Sequence, residues 1–112
     1  MQIKLLSILT LIILIGCSKE IEQYDNLDNF AKCLTEKEIK IYGTEWCSHC
    51  KNQKQTFGNS FQYIDYIDCD KNKNECLKSD IQGYLTWEID GKKYPGEQSL
   101  QRLSQLSECE VK

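Results

Sequence analysis

The chain has 112 residues, with 14 basic and 17 acidic side chains and a formal net charge of −3 at pH 7. A chain of this length forms one small domain, whose hydrophobic core alone leaves a thin margin of stability. The acidic excess and the lack of a basic cluster in the sequence argue against nucleic acid as a partner.

The first 16 residues have the pattern of an export signal. One basic residue, Lys4, precedes an apolar segment, residues 5–15, that is too short for a comfortable membrane span. The sequence Leu14-Ile15-Gly16-Cys17 resembles the lipobox of bacterial lipoproteins, in which cleavage before the cysteine is coupled to diacylation of its sulfur. We therefore expect a lipoprotein signal peptide over residues 1–16 and lipidation of Cys17. An ordinary signal peptide or an uncleaved membrane-proximal helix is the alternative.

The residues after Cys17 are polar and predict a short lipidated tether, residues 17–26, in front of a folded domain, residues 27–112. Removal of residues 1–16 would take away a single basic residue and leave four more acidic than basic side chains. This organisation predicts a protein of the bacterial cell envelope that is held to a membrane by its lipid and faces the periplasm or the exterior.

The first predicted elements of the domain are a helix, a strand and a second helix. Apolar residues recur at positions i, i+3, i+4 and i+7 within residues 27–34, which predicts a helix capped by Asp25 or Asn26. Residues 39–42 are typical of a short strand. Residues 47–58 predict the second helix, because the segment closes on a glycine, which is common just after a helix.

The rest of the domain predicts three further strands and two helices. Residues 61–69 are rich in aromatic and β-branched side chains, which is typical of a strand, and residues 74–80 predict a short helix. Residues 85–94, with Asp90-Gly91 near their centre, predict a β-hairpin. Leucines in steps of three predict a terminal helix over residues 99–106. The order predicts an α/β fold with a central mixed sheet of about four strands, flanked by helices, and an extra N-terminal helix.

The strongest chemical signal is Trp46-Cys47-Ser48-His49-Cys50, between the first predicted strand and the second helix. Two intervening residues place both sulfurs in one helical turn, with Cys47 at the helix N-terminus, where unpaired N–H groups and the helix dipole stabilise a thiolate. His49 lies between the two sulfurs, and its imidazolium would stabilise that thiolate and favour the reduced form. Trp46 is expected to pack beside the sulfurs and shield them; a simple core aromatic is the alternative.

The cysteine count is typical of an exported protein. Without Cys17, six of the seven cysteines remain, an even number that suggests pairs in an oxidising compartment. Cys47 and Cys50 are the redox pair by their spacing. Cys69 and Cys76 bracket a short polar loop, so their bond is easy to close, and this leaves Cys33 with Cys109. Six cysteines allow 15 connectivities, so this pairing is a hypothesis. The alternative is that some of these four are free and buried.

Three segments together resemble a known family. They are residues 30–37, the run from Tyr42-Gly43 through both cysteines to Lys54, and residues 83–89. The motifs and the element order look like the thioredoxin fold and, more narrowly, are similar to the thioredoxin-like domain fused to bacterial vitamin K epoxide reductase homologues, over about residues 27–106. The resemblance implies a thiol–disulfide oxidoreductase that acts on exported cysteine-containing proteins. Its expected partner is a membrane quinone-linked disulfide reductase of the vitamin K epoxide reductase type, and we expect no cofactor.

The resemblance also assigns roles to individual residues. In the mechanism of the family, Cys47 would form the mixed disulfide with the substrate and Cys50 would resolve it, with His49 assisting. The residues expected to form the substrate groove are Trp46, Tyr84, Leu85 and Thr86.

Two positions depart from the pattern of the family. Thioredoxin-like proteins carry a proline that faces the two cysteines, and this chain has Leu85 there. Because a cis peptide is largely a proline phenomenon, we expect the Tyr84–Leu85 bond to be trans or strained. Ile41 stands where thioredoxin has a buried carboxylate that assists proton transfer. An oxidase or isomerase is therefore expected rather than a strong reductase.

Two other functions are also compatible with the sequence. In the first, the missing proline lets Cys47 and Cys50, with His49, bind a metal ion or a cluster, although three ligands are few for a closed site. In the second, the domain is a non-catalytic interaction module with a structural Cys47–Cys50 disulfide. Its docking groove would then be formed by Tyr84, Leu85 and Trp87.

Overall fold

The computed structural model describes residues 26–112. The predicted signal peptide, the lipidation site Cys17 and all of the tether except residue 26 lie outside the described residues. The elements, in chain order, are α1 (Asp28–Glu36), β1 (Lys40–Gly43), α2 (Ser48–Phe57), a 3₁₀ helix (Gly58–Tyr63), β2 (Asp65–Asp68), α3 (Lys73–Lys78), β3 (Thr86–Ile89), β4 (Lys92–Pro95) and α4 (Leu100–Ser107).

The four strands form one mixed sheet in the order β2-β1-β3-β4. Strand β1 pairs in parallel with β2 and antiparallel with β3, so that Ile41 lies opposite Tyr66 on one side and Trp87 on the other. Strands β3 and β4 form the hairpin that Asp90-Gly91 predicts. The predicted thioredoxin-like fold, with its mixed four-stranded sheet, flanking helices and extra N-terminal helix, is confirmed.

Side chains along β1 point alternately to the two faces of the sheet, and each face carries its own core cluster. Ile41 faces the larger cluster, which contains the apolar residues of α1, α2 and α4. Tyr42 faces a smaller cluster with Ile67, Cys69 and Cys76, where α3 packs. The leucine stripe of α4 is core at Leu103, which is fully buried, as the spacing in steps of three predicts.

One local prediction is wrong, and another is confirmed only in part. The first half of the strand predicted over residues 61–69 is part of the 3₁₀ helix, and only Asp65–Asp68 belongs to the sheet. The aromatic residues that suggested a strand are used for packing, since the Phe61 ring lies 6.1 Å from that of Phe57 and 5.6 Å from that of Tyr66. Helix α1 has Leu27 at its N-cap, although the Asn26 side chain does accept a hydrogen bond from the backbone N–H of Asp28.

Two disulfide bonds cross-link the domain, and they are the pairs that the sequence suggests. Cys33 of α1 is bonded to Cys109, 76 residues later, and Cys69 is bonded to Cys76 across the loop between β2 and α3. Within residues 26–112, no helix is both long enough and apolar enough to cross a lipid bilayer.

Candidate active site

The sulfur of Cys47 lies at the N-terminus of α2. Strand β1 ends at Gly43, and the chain turns through Thr44 and Glu45 before Cys47 takes the N-cap position with an extended backbone. Its Sγ accepts a hydrogen bond of 3.2 Å from the backbone N–H of Cys50, as a capping side chain does. A thiolate at this atom would be stabilised by that N–H group and by the helix dipole.

Cys50 lies one turn further along α2 and is 1% exposed, against 6% for Cys47. Burial raises the pKa of the Cys50 thiol to about 12, and its hydrogen bond with Cys47 acts in the same direction. Both residues are free thiols in the structure. The two sulfurs therefore differ in environment, since one is at a helix N-terminus and borders a surface cavity while the other is enclosed.

An open cavity of about 380 Å³ lies beside Cys47 and is lined by Trp46, Cys47, Ser48, His49 and Tyr84. The Trp46 side chain is 66% exposed, so it is not a core aromatic. Its ring meets that of Tyr84 edge-on at 5.8 Å, and its Nε1 donates a hydrogen bond of 2.9 Å to Asp70 Oδ2. An exposed aromatic pair that is fixed in this way gives a partner chain an apolar surface next to the sulfur.

His49 points away from the protein interior and pairs with Glu97, a residue that no sequence motif indicates. Its Nδ1 lies 2.6 Å from Glu97 Oε2, in the loop between β4 and α4. The contact is an ion pair when the imidazole is protonated, the form that would stabilise a Cys47 thiolate. The two residues are 48 positions apart, and no local pattern connects them.

Gln53 fixes this same loop to the active-site helix, and it was also missed from the sequence. Its side chain is 1% exposed. The amide oxygen accepts hydrogen bonds from Trp87 Nε1 at 3.1 Å and from the backbone N–H of Gln98 at 2.8 Å. Its Nε2 donates to the Gln98 carbonyl at 3.0 Å. A buried amide with three hydrogen bonds joins α2, strand β3 and the loop that carries Glu97.

The predicted substrate groove is only partly formed by the residues assigned to it. Trp46 and Tyr84 line the cavity, but the side chains of Leu85 and Thr86 are 1% and 4% exposed. Trp87 is fully buried, so the docking groove of Tyr84, Leu85 and Trp87 does not exist as a side-chain surface. Side chains that are enclosed in this way cannot also contact a partner.

The Tyr84–Leu85 peptide bond is cis, so the trans bond, one of the two expectations for this segment, is wrong. The segment is held by contacts that do not depend on a proline ring. The Leu85 carbonyl accepts a hydrogen bond of 2.8 Å from the backbone N–H of Gly96, and Thr86 Oγ1 donates to the Gly83 carbonyl at 2.8 Å. These bonds, together with the buried Leu85 side chain, define the turn for a non-proline residue as well.

The site has no carboxylate at Ile41, which is buried at 1% exposure in β1. Within residues 26–112, no three His, Cys, Asp or Glu side chains converge in a way that could hold a metal ion. The metal or cluster alternative therefore gains no support from the arrangement of Cys47, Cys50 and His49, whose ring nitrogen is engaged by Glu97.

Comparison with known proteins gives relatives that are named for thiol–disulfide chemistry. The chain is 34% identical over 86 residues to the thiol-disulfide oxidoreductase LTO1 of Arabidopsis thaliana, an alignment that covers 69% of the chain and 23% of that protein. The described domain belongs to the family of thioredoxin-like disulfide oxidoreductases. Another relative is the protein disulfide isomerase-like 2-2 of Oryza sativa subsp. japonica, 33% identical over 58% of the chain and 21% of that protein. A third relative is the probable protein disulfide-isomerase ER-60 of Schistosoma mansoni, 30% identical over 76% of the chain and 19% of that protein.

The chain thus spans about a fifth of the length of these relatives. Among solved structures, the first thioredoxin domain of mouse protein disulfide-isomerase A4 matches with a TM-score of 0.43 and 19% identity, over 74% of the chain and 71% of that domain. Oxidised thioredoxin from Plasmodium falciparum matches with a TM-score of 0.44 and 19% identity, over 74% of the chain and 90% of that protein. No family model matches the chain.

Proposed function

We propose that this protein is a membrane-anchored, extracytoplasmic thiol–disulfide oxidoreductase, an oxidase or isomerase, that acts on exported cysteine-containing proteins through Cys47 and Cys50. The observation that carries the proposal is the position of the Cys47 sulfur, at the N-terminus of α2 and beside an open cavity, with the Cys50 thiol enclosed behind it. Only one sulfur of the pair can then meet a partner, as ordered thiol–disulfide exchange requires.

The proposed reaction starts from the Cys47–Cys50 disulfide. A substrate thiolate attacks Cys47 Sγ, a substrate–Cys47 disulfide forms, and the electron pair of the broken bond goes to Cys50 Sγ. A second substrate thiolate then attacks the substrate sulfur of the mixed disulfide and releases the Cys47 thiolate. The substrate gains one disulfide, and Cys47 and Cys50 gain two electrons. His49, held by Glu97, would stabilise the released thiolate and so make the disulfide more oxidising.

Buried Ile41 supports the preference for oxidase or isomerase activity, because no carboxylate stands there to assist the attack of Cys50 on a mixed disulfide. The test is the equilibrium of the Cys47–Cys50 pair with glutathione, with thiols counted by mass spectrometry. A reduction potential of about −120 to −180 mV is expected, the range of oxidases and isomerases. About −270 mV would identify a reductase, and a pair still oxidised below about −300 mV would be a structural disulfide.

The membrane anchor and the redox partner are further parts of the proposal, supported by the sequence. The lipobox-like Leu14-Ile15-Gly16-Cys17 favours acylation of Cys17. Radiolabelled palmitate should enter the wild-type protein but not Cys17→Ser, which should leave the membrane fraction. The similarity to domains fused to vitamin K epoxide reductase homologues favours a membrane quinone-linked reductase of that type as electron acceptor. A Cys50→Ser variant should trap exported proteins and that acceptor as mixed disulfides on Cys47, whereas Cys47→Ser should trap neither.

A further inference from the structure

A buried hydroxyl group near the two cysteines has no partner. Tyr66 lies in β2, next to Ile41 in the parallel pairing with β1. Its Oη is shielded from solvent, and within residues 26–112 it forms no hydrogen bond. Burial of an unpaired hydroxyl is unfavourable, so such a group in a native site calls for an explanation.

The hydroxyl faces the same small space as the sulfur of Cys50. A Cβ atom built at Gly43 would lie 2.6 Å from Cys50 Sγ and 3.4 Å from Tyr66 Oη, so these two atoms are no more than 6.0 Å apart. One water molecule can bridge a separation of that size. A side chain at Gly43 would collide with the sulfur, and the glycine therefore keeps the path between the two groups open.

Burial is the main reason that both groups stay protonated at neutral pH. Burial raises the pKa of Tyr66, and the negative charges of Cys50, Glu45, Asp68 and Cys47 add to this effect in that order. Lys54 Nζ lies 4.2 Å from the centre of the Tyr66 ring and lowers the pKa of Cys50. A tyrosine whose pKa is raised is a weaker acid, so it keeps its proton and remains a hydrogen-bond donor at neutral pH.

We propose that the Tyr66 hydroxyl donates a hydrogen bond, directly or through one water, to the Cys50 thiolate as it leaves the disulfide. This proposal rests on the proposed function. When a thiol compound attacks Cys47 Sγ, the bond to Cys50 breaks and the electron pair stays on Cys50 Sγ. The hydroxyl stabilises that charge until the sulfur takes up a proton from solvent, and in the reverse direction it stabilises Cys50 as it attacks. Tyr66 thus does part of the work of the carboxylate that Ile41 replaces.

The test is the rate at which glutathione reduces the Cys47–Cys50 disulfide in the wild-type protein, in Tyr66→Phe and in Tyr42→Phe. Tyr42 is the matched control, because its hydroxyl is also buried but bonds Ser79 Oγ at 3.0 Å in the smaller core cluster. Tyr66→Phe should slow the reaction about tenfold or more, the effect of losing one hydrogen bond to a charged sulfur. Tyr42→Phe should stay within about twofold of wild type.

The equilibrium constant with glutathione separates this role from a structural one. It should be unchanged in Tyr66→Phe, because Cys50 is a neutral thiol in the reduced protein and the hydroxyl acts on the charged sulfur during the exchange. A wild-type rate in Tyr66→Phe would overturn the proposal, and so would a slow rate with an equally slow Tyr42→Phe. If glutathione does not reduce the wild-type disulfide at all, the proposed function fails. In that case the role of the Tyr66 hydroxyl is tested by titrating Cys50, followed through its Cβ chemical shift. Tyr66→Phe should raise the apparent pKa of Cys50.

Discussion

The two structural disulfides allow a direct test of how the chain is stabilised. They close loops of very different length, with sequence separations of 76 residues for Cys33–Cys109 and 7 residues for Cys69–Cys76. In the chain-entropy model, the first bond should stabilise the fold by about 4.5 kcal/mol and the second by about 2.5 kcal/mol. The double variants Cys33→Ala/Cys109→Ala and Cys69→Ala/Cys76→Ala should therefore differ by about 2 kcal/mol in the free energy of unfolding.

The comparison is well controlled, because both variants lose two buried or partly buried sulfur atoms and retain Cys47 and Cys50. Urea unfolding, followed by tryptophan fluorescence with the Cys47–Cys50 pair kept oxidised, measures the free energy of unfolding of both variants against the same wild-type protein. For a small domain, a loss of about 4.5 kcal/mol is most of the stability, so Cys33→Ala/Cys109→Ala should be largely unfolded at 37 °C. Equal losses in the two variants, or a larger loss for the short loop, would refute the argument from loop length.

Three further results are expected. The raised pKa of Cys50 should make the reduced protein lose stability as the pH rises from the ordinary thiol value of 9.0 towards about 12, by up to about 1.4 kcal/mol per pH unit. The oxidised protein lacks this thiol and should lose less stability over the same range. Parallel urea titrations that show no difference between the two forms would contradict the raised pKa. Gln53→Leu should cost about 3 kcal/mol, because it leaves the Trp87 and Gln98 donors unpaired, while the exposed Gln55→Leu should change the unfolding free energy by less than about 0.5 kcal/mol. His49→Ala should make the Cys47–Cys50 pair less oxidising against glutathione. Glu97→Gln should shift the equilibrium constant with glutathione in the same direction but by no more than about fivefold, since an exposed ion pair contributes at most about 1 kcal/mol. Glu110 is an exposed carboxylate near the C-terminus, so Glu110→Gln is the control that should not change the equilibrium.

The sequence predicted the elements whose signals are local. The helical spacing of the apolar residues in α1 and the Asp90-Gly91 turn each depend on a few neighbouring residues. The position of Cys47 at the start of α2 is equally local, because strand, turn and helix follow one another directly. These features were predicted within one or two residues of their bounds in the structure.

The features that were missed depend on contacts between distant parts of the chain. Glu97 reaches His49 only because the hairpin and the turn after it bring the loop back to α2, and Gln53 looks like any polar helix residue until Trp87 and Gln98 are placed against it. The 3₁₀ helix was read as a strand because aromatic residues suit both a sheet and the face of a packed helix. The cis bond before Leu85 was missed because this position has no proline, the residue that makes a cis bond favourable.

The buried amide of Gln53 bears on how a partner chain can approach. Because it ties Gln98 to α2, the loop with Glu97 moves together with the helix that carries the two sulfurs. Opening the loop would break both hydrogen bonds between the buried Gln53 amide and the backbone of Gln98, so the loop should open only rarely. A polypeptide that reaches Cys47 therefore meets a rigid edge, and the bending that aligns the sulfurs must come from the incoming chain. Unfolded or recently exported segments can bend in this way, whereas a cysteine fixed in a finished strand cannot.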